Sequence, residues 1–375
     1  SQRRDWYDKM ILVALASAVG WGAGGMISYG MVVGYGHADN FINSFYGLAM
    51  LFVIGGLFGL LGGGLVGLTL DSTSDNKVKW GPLMAEMVAG GLISYYFLVE
   101  QIGFKMTPPR SEVWAVCLGA GLAMLWYMAR EKRNSPIRVA FFSMLGAGIG
   151  FGFGNFLQII GKTWDVPFNM WNVMEYSIGF FGGLGMAYGV FSSQWPKESP
   201  KPKKWENWAS LLIVAVLIPL IVYRETLNYD YLVGRLENLP NVESVAFTTT
   251  SVAALILLLM AGTIFWKLKK KNFSKRDVAY VFFILLFAYT SVSYLVTGLF
   301  GGIMEITHHL YLINILVLFI VYRIKTEPIV YGNAGIDIKR WIFFLLASVV
   351  FMALLAVLAI NLHGDIGGHD RFPLN

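Results

Sequence analysis

The placement of lysine and arginine between apolar segments constrains this chain more than any other feature. Eleven segments are apolar and long enough to cross a bilayer, which requires about 20 residues. Of the 29 basic residues, 23 fall in alternate gaps between these segments and 6 fall in the remaining gaps. Because cytoplasmic loops are enriched in Lys and Arg, this split predicts a membrane protein with a cytoplasmic N-terminus and an extracytoplasmic C-terminus.

The predicted fold is all-α and polytopic, with about 11 transmembrane helices. The spans are expected at 10–35, 41–70, 82–102, 112–129, 139–160, 171–193, 208–223, 246–266, 277–300, 308–322 and 341–361. A composition of 56% hydrophobic and 14% charged residues agrees with this class. We expect an integral membrane protein of a bacterial inner membrane, with an organelle membrane as the alternative. The net charge of +6 follows from the loops, so the expected partner is the lipid bilayer and no nucleic acid.

Glycine divides the chain into two parts, since 32 of the 42 glycines precede residue 196. Residues 1–195 are predicted to form a glycine-rich membrane core of six spans. Residues 196–207, with three prolines and four lysines, cannot continue a membrane helix and predict a basic cytoplasmic linker. Residues 208–361 are predicted to form a helical bundle of five spans with an outside loop at 224–245. Residues 362–375 are predicted to form an extracytoplasmic tail.

The core contains a candidate internal repeat of residues 10–70 in residues 139–193. Gly20–Gly24 resembles Gly150–Gly154, and each is followed by an outside loop and a second glycine-rich helix. Four spans separate the two units, so the repeat would be parallel, an arrangement known in transporters. The alternative is that glycine-rich helices resemble each other by composition alone. Glycines four residues apart also allow close helix packing without any functional role.

Polar and aromatic residues in the outer halves of the core helices predict a binding site. The candidate solute-binding residues are Asn155, Gln158, Asn172, Glu175, Tyr29 and Trp171. Amides, a carboxylate and aromatic faces suit a neutral polar or sugar-like solute. Because ionisable groups in lipid are costly, Glu175 or Glu86 is expected to carry a coupling proton. The competing interpretation is that amides hold helices together while Trp171 belongs to the interfacial aromatic belt.

Histidines in the outside gaps suggest a second site, for a divalent metal. The candidate ligands are Glu305, His308, His309, His363 and His369. The first three are spaced i, i+3 and i+4, which places them on one helical face, and imidazole with carboxylate suits zinc, manganese or non-haem iron. Polar helix ends and a solvated tail are the alternative. His37 with Asp39 is interpreted as a loop pair. Cys117 is the only cysteine, which excludes an intrachain disulfide.

These observations predict a membrane transporter for a small polar or sugar-like solute, coupled to protons through Glu175 or Glu86. One alternative is a membrane-embedded enzyme whose extracytoplasmic histidine and carboxylate site acts on a lipid-linked or glycan substrate. Another is a non-catalytic subunit of a membrane complex. A homo-oligomer is compatible with each alternative, and no cofactor is predicted beyond the metal.

Overall fold

The chain folds into helices joined by loops over the residues that the structure, a computed structural model, describes. These are residues 3–198, 200–268, 273–295, 306–324, 332–362 and 366–373. The helices are α1 Arg4–Asp8, α2 Met10–Gly25, α3 Gly30–Gly36, α4 Phe41–Asp71, α5 Trp80–Tyr95, α6 Val113–Arg130, α7 Asn134–Thr163, α8 Met170–Ser192, α9 Lys204–Leu212, α10 Ile218–Thr226, α11 Tyr229–Arg235, α12 Val242–Lys267, α13 Lys275–Ser293, α14 Ile306–Arg323 and α15 Ile338–Leu362. π-Helical turns extend α5 to Gln101 and join α9 to α10.

Long apolar helices indicate an integral membrane protein. Within the described ranges, eight helices are long and apolar enough to cross a membrane: α4, α5 with its π-helical extension, α6, α7, the continuous α9–α10, α12, α13 and α15. A ninth span results if α2 and α3, which meet at an angle of 65°, are counted as one broken span. The finer prediction of 11 spans and both terminal locations stays a prediction. Helices α8 and α14 occupy the other two predicted spans. Helix α8 includes polar residues such as Asn172 and Glu175, and the apolar part of α14 is short.

The chain divides into two compact units. Unit 1 consists of residues 1–15 and 201–329, and unit 2 consists of residues 16–200 and 330–375. The division near residue 200 falls in the predicted linker, but each unit also includes one end of the chain. Helix α15, grouped with the C-terminal bundle in the sequence prediction, packs against α4 and α7 of unit 2.

Close backbone contacts of α4 organise unit 2. The apolar window of α4 is 78% buried and that of α7 is 67% buried, the two highest values among the candidate spans of the described residues. On its face toward α7, a methyl group added to Gly55 would meet the Ala147 carbonyl, and one added to Gly59 would fall on the Ser143 carbonyl. Glycines every fourth residue therefore let the two backbones touch, as in other membrane helix pairs.

Helix α7 repeats this arrangement on another face, toward α8. Gly146 packs on the backbone of Phe181, Gly150 on Ser177 and Gly154 on Met174. Gly20 of α2 in turn contacts Gly62 of α4. The glycine spacing seen in the sequence thus corresponds to four helices in backbone contact. The origin of this pattern in a duplicated unit stays a prediction.

Unit 1 has a separate apolar core, formed by helices on both sides of the predicted outside loop 224–245. This core includes Leu211, Leu232, Ala253 and Met260. Helix α11 lies within the loop and contributes the fully buried Leu232. Large side chains on the outer faces of α12 and α15, such as Leu258 and Phe343, are exposed. These outward faces suit contact with lipid, because lipid tails are as apolar as the side chains.

We expect Gly59→Ala to destabilise the protein, since its new methyl group would fall on the backbone carbonyl of Ser143. Overpacking of this kind costs about 1–3 kcal/mol. The matched control is Gly183→Ala in α8, where a Cβ meets no atom within 4 Å and alanine favours the helix by up to about 1 kcal/mol. Thermal unfolding in detergent should therefore separate the two variants. Equal unfolding temperatures would show that the α4–α7 contact is not tight.

Candidate functional site

The candidate site is built along one face of α7. Phe151, Asn155, Gln158 and Lys162 follow one another at intervals of four, three and four residues, so they share a helical face. Asn155 and Gln158 are fully buried. The close contacts of α7 with α4 and α8 fix the direction in which this face points. Two of the six predicted solute-binding residues therefore lie together in the interior of unit 2.

His37, at the C-terminal end of α3, completes a polar cluster with the α7 residues, in which Asn155 and Gln158 are buried and Lys162 is exposed. Its Nε2 atom lies 3.2 Å from Gln158 Oε1, and its Nδ1 atom lies 3.3 Å from Lys162 Nζ. Nε2 also lies 3.2 Å from Asn155 Nδ2. Because the Lys162 ammonium can only donate, Nδ1 accepts from it and Nε2–H donates to Gln158, so the contact between Nε2 and Asn155 Nδ2 brings two donors together and is not a hydrogen bond. Asn155 Nδ2 donates to the same Gln158 oxygen at 3.3 Å.

Two polar atoms of this cluster have no hydrogen-bond partner among the described residues. They are Asn155 Oδ1, an acceptor, and Gln158 Nε2, a donor. Leaving a buried polar group unsatisfied costs about 1–3 kcal/mol, and such groups are rare in folded proteins. Asn155 Oδ1 lies against the backbone of Gly36, where no side chain would fit. The cluster therefore retains one donor and one acceptor for which the described protein supplies no match.

A break between α2 and α3 brings a second pair of predicted residues together. Tyr29 lies in this break, and its hydroxyl donates to Glu175 Oε1 of α8 at 2.5 Å. The Tyr29 ring packs edge-on against Phe151, with centroids 5.0 Å apart. Because Phe151 is one turn from Asn155 on α7, the same face of α7 runs from the Tyr29–Glu175 pair to the His37 cluster.

The remaining predicted residues occupy different positions. Asn172 donates its backbone N–H to the capping residue Asn169 at the start of α8, and Trp171 is 42% exposed. Both are within one turn of Glu175. Glu86 instead forms a two-bond ion pair with Arg130, at 2.7 and 3.2 Å. Glu86 is thus paired with α6, and its role as a proton carrier stays a prediction.

Segment 366–373 lies against α3 and the start of α4. Asn43, which is fully buried, donates from Nδ2 to Asp370 Oδ1 at 2.9 Å and accepts from the backbone N–H groups of Arg371 and Phe372 at 2.8 Å each. The backbone N–H of His369 donates to the Gly34 carbonyl. The predicted solvated tail is thus tightly bound over this segment.

The metal site stays a prediction. Glu305 and His363 lie outside the described residues. His308 and His309 lie beside Tyr294 in unit 1, with the Tyr294 hydroxyl 3.3 Å from His309 Nδ1. His369 belongs to unit 2, against Gly34. Among the residues that are described, no three His, Cys, Asp or Glu side chains are grouped closely enough to hold a metal ion.

The chain matches no protein-family model, no curated protein and no solved structure with which it was compared. The functional argument therefore depends on the geometry of the site.

Sequence reasoning missed His37, and its interpretation as a loop partner of Asp39 was wrong. The side chain is 3% exposed and faces Gln158 and Lys162 across more than 100 residues of sequence. The available signal was the apolar and glycine-rich stretch 30–36 immediately before it, which forms α3 and carries the imidazole inward.

We expect Asn43→Ala to release segment 366–373 while the helices stay folded. The backbone N–H groups of Arg371 and Phe372 lose their acceptor, so hydrogen exchange at these amides should accelerate at least about tenfold. The control is Asn361→Ala, because the exposed Asn361 side chain bonds only the Val357 carbonyl of its own helix. Hydrogen exchange by mass spectrometry measures both. Unchanged protection in Asn43→Ala would mean that Asn43 does not hold the segment.

Proposed function

We propose that this protein transports a small neutral polar solute, such as a sugar or polyol, and that Glu175 couples this transport to protons. The proposal rests above all on the buried pair of unsatisfied atoms, Asn155 Oδ1 and Gln158 Nε2. It includes the finer topology expected from the sequence: 11 spans in a bacterial inner membrane, a cytoplasmic N-terminus and a parallel repeat in the glycine-rich part.

A hydroxyl group matches the unsatisfied atoms. It donates one hydrogen bond and accepts others, so a hydroxyl has both the donor that the Asn155 oxygen lacks and the acceptor that the Gln158 amide lacks. A carboxylate only accepts and would leave the Asn155 oxygen unpaired, while an ammonium only donates and would leave the Gln158 amide unpaired. The pair therefore favours alcohols over ions. Polar sites of this kind, with a few placed groups in an apolar surround, are typical of small-ligand sites.

The break between α2 and α3 supports transport over a static role. Interrupted helices are frequent at the solute and ion sites of transporters. Both ends of α3 reach the site, since Tyr29 at its start bonds Glu175 and His37 at its end bonds Gln158. A movement of α3 would therefore change the proton-binding group and the solute-binding amides together.

Protonation of Glu175 links proton binding to a movement of α3. The Tyr29 hydroxyl donates to a carboxylate, and such charge-assisted bonds are roughly twice as strong as neutral ones. A proton on Glu175 weakens this bond and loosens the start of α3. In this scheme, solute binding at the other end of α3 and proton binding at Glu175 influence each other reciprocally, as linkage requires.

The direct test uses proteoliposomes that contain the purified protein and a trapped pH-sensitive dye. A panel of monosaccharides and polyols is added one at a time, and solute-dependent proton entry identifies a transported compound. A compound that is chemically converted would instead indicate the enzymatic alternative. No proton entry and no uptake with any member of the panel would refute the proposed solute class.

We expect Glu175→Gln to abolish solute-dependent proton entry, because the amide cannot exchange a proton, while the protein folds normally. Tyr29→Phe should reduce coupling and retain some uptake, since it removes the bond to Glu175 but leaves the carboxyl group. The matched control is Glu225→Gln, which neutralises an exposed carboxylate of α10 in unit 1. Full coupled transport by Glu175→Gln would exclude this residue as the proton carrier.

Asn155→Leu should lose uptake without losing stability. The substitution removes an unsatisfied acceptor, and Gln158 Oε1 keeps the His37 ring as its donor. The unfolding free energy should therefore stay within about 1 kcal/mol of wild type or rise. Ser143→Ala is the control, because Ser143 Oγ is also buried and unsatisfied on α7 but faces the glycines of α4. Strong destabilisation with intact uptake would identify Asn155 as a structural contact between helices.

A further inference from the structure

Unit 1 contains a cleft of about 430 Å³ at the ends of two candidate membrane spans. One wall is the start of α9, with Lys204, Asn207 and Trp208, and the other includes Leu268 and Phe273, which follow α12. Because spans end near the lipid headgroups, this cleft lies at the depth of the membrane–water interface. Two exposed tryptophans at the same end, Trp205 and Trp208, agree with that depth.

The cleft combines an apolar wall with cationic groups at its rim. Trp208, Leu211 and Phe273 line its interior, while Lys201 and Lys204 bring two ammonium groups. Asp8 also lines it, accepting from the backbone N–H of Phe273 at 3.1 Å and lying 3.5 Å from Lys201 Nζ. Asp8 thus holds Lys201 at the rim, and the lysines outnumber this single carboxylate.

One buried polar atom indicates a further chemical group that a ligand of this cleft must have. Asn207 Oδ1 is sealed from solvent and has no hydrogen-bond partner among the described residues. As an acceptor it requires a donor, which a phosphate diester cannot supply. A suitable occupant therefore has three parts: a phosphate for the lysines, a hydroxyl donor for Asn207 and an apolar portion for the aromatic wall.

We infer that this cleft binds the headgroup of an anionic glycerophospholipid with hydroxyl donors, such as phosphatidylglycerol. Its phosphate contacts Lys201 and Lys204, and the start of an acyl chain lies along Trp208 and Leu211. A headgroup hydroxyl donates to Asn207 Oδ1 after the amide turns this covered atom toward the cleft. Basic pockets beside membrane helices are known to bind lipid phosphates in this way. This site is independent of the transport site in unit 2, so either proposal stands without the other.

The test measures lipid binding to the purified protein by native mass spectrometry and by thermal stabilisation in detergent. Dioleoyl phosphatidylglycerol is compared with dioleoyl phosphatidylcholine, which has the same chains. We expect the Lys201→Ala/Lys204→Ala variant to bind phosphatidylglycerol about thirtyfold more weakly than wild type, since the phosphate loses both of the ammonium groups that it contacts directly. Asn207→Leu should lower the preference for phosphatidylglycerol over phosphatidic acid, which lacks the hydroxyl headgroup.

The control is Lys197→Ala/Lys203→Ala, which removes the same charge from the same basic stretch outside the cleft lining. It should bind phosphatidylglycerol as wild type does, with circular dichroism confirming that both variants are folded. Equal loss in the two double variants would overturn the proposal in favour of general surface charge. Glycerol 3-phosphate tests for a soluble ligand: stabilisation by it that equals that by phosphatidylglycerol would overturn the assignment to lipid.

Discussion

Backbone contact between α4 and α7 is the constraint on which unit 2 depends. In lipid, apolar side chains gain little by leaving their surroundings, so helices associate through close packing and polar contacts. Glycines at 55, 59 and 63 allow the α7 backbone to reach that of α4. Glycines also allow close contacts nearer the start of α4, where Gly47 packs on the backbone of Gly36 and Gly36 packs on Asn155. Each step brings α3 closer to α7, which is why His37 reaches Gln158.

Two buried asparagines of unit 2 show the difference between a structural contact and a site. Asn43 uses both its oxygen and its amide, with donors and acceptors from segment 366–373 and from Asn40. Asn155 is equally buried, but its oxygen has no partner among the described residues. An unsatisfied atom alone does not define a site, since the buried Ser143 hydroxyl is also unsatisfied and faces the glycines of α4. Asn155 differs because Gln158, on the same face of α7, has an unsatisfied donor. This contrast supports a ligand-binding role for Asn155.

The sequence predicted the all-helical membrane class because long apolar segments leave few other folds for the backbone. It also placed Tyr29 and Glu175 in one region, and Asn155 and Gln158 on one helix, since spacing along a helix determines which residues share a face. It could not predict that α15 packs on α4 and α7, because a uniformly apolar helix carries no pattern that selects its neighbour. The partners of His37 and Asn43 could not be predicted for a related reason: they are distant in sequence and are defined only by tertiary packing.

The shortness of α3 bears on how the two ends of the site communicate. A helix of seven residues is marginal by itself, since nucleation costs more than a few backbone bonds return. Its position is therefore determined by its packing on α4 and by three polar contacts: Tyr29 with Glu175, His37 with Gln158 of α7, and Gly34 with the backbone of His369. Because α3 has few contacts, weakening any one of them changes the position of the helix and therefore the strength of the others. A long buried helix such as α4 would keep its position after the same change. A short helix held at both ends is thus a suitable element for coupling a carboxylate to a pair of amides.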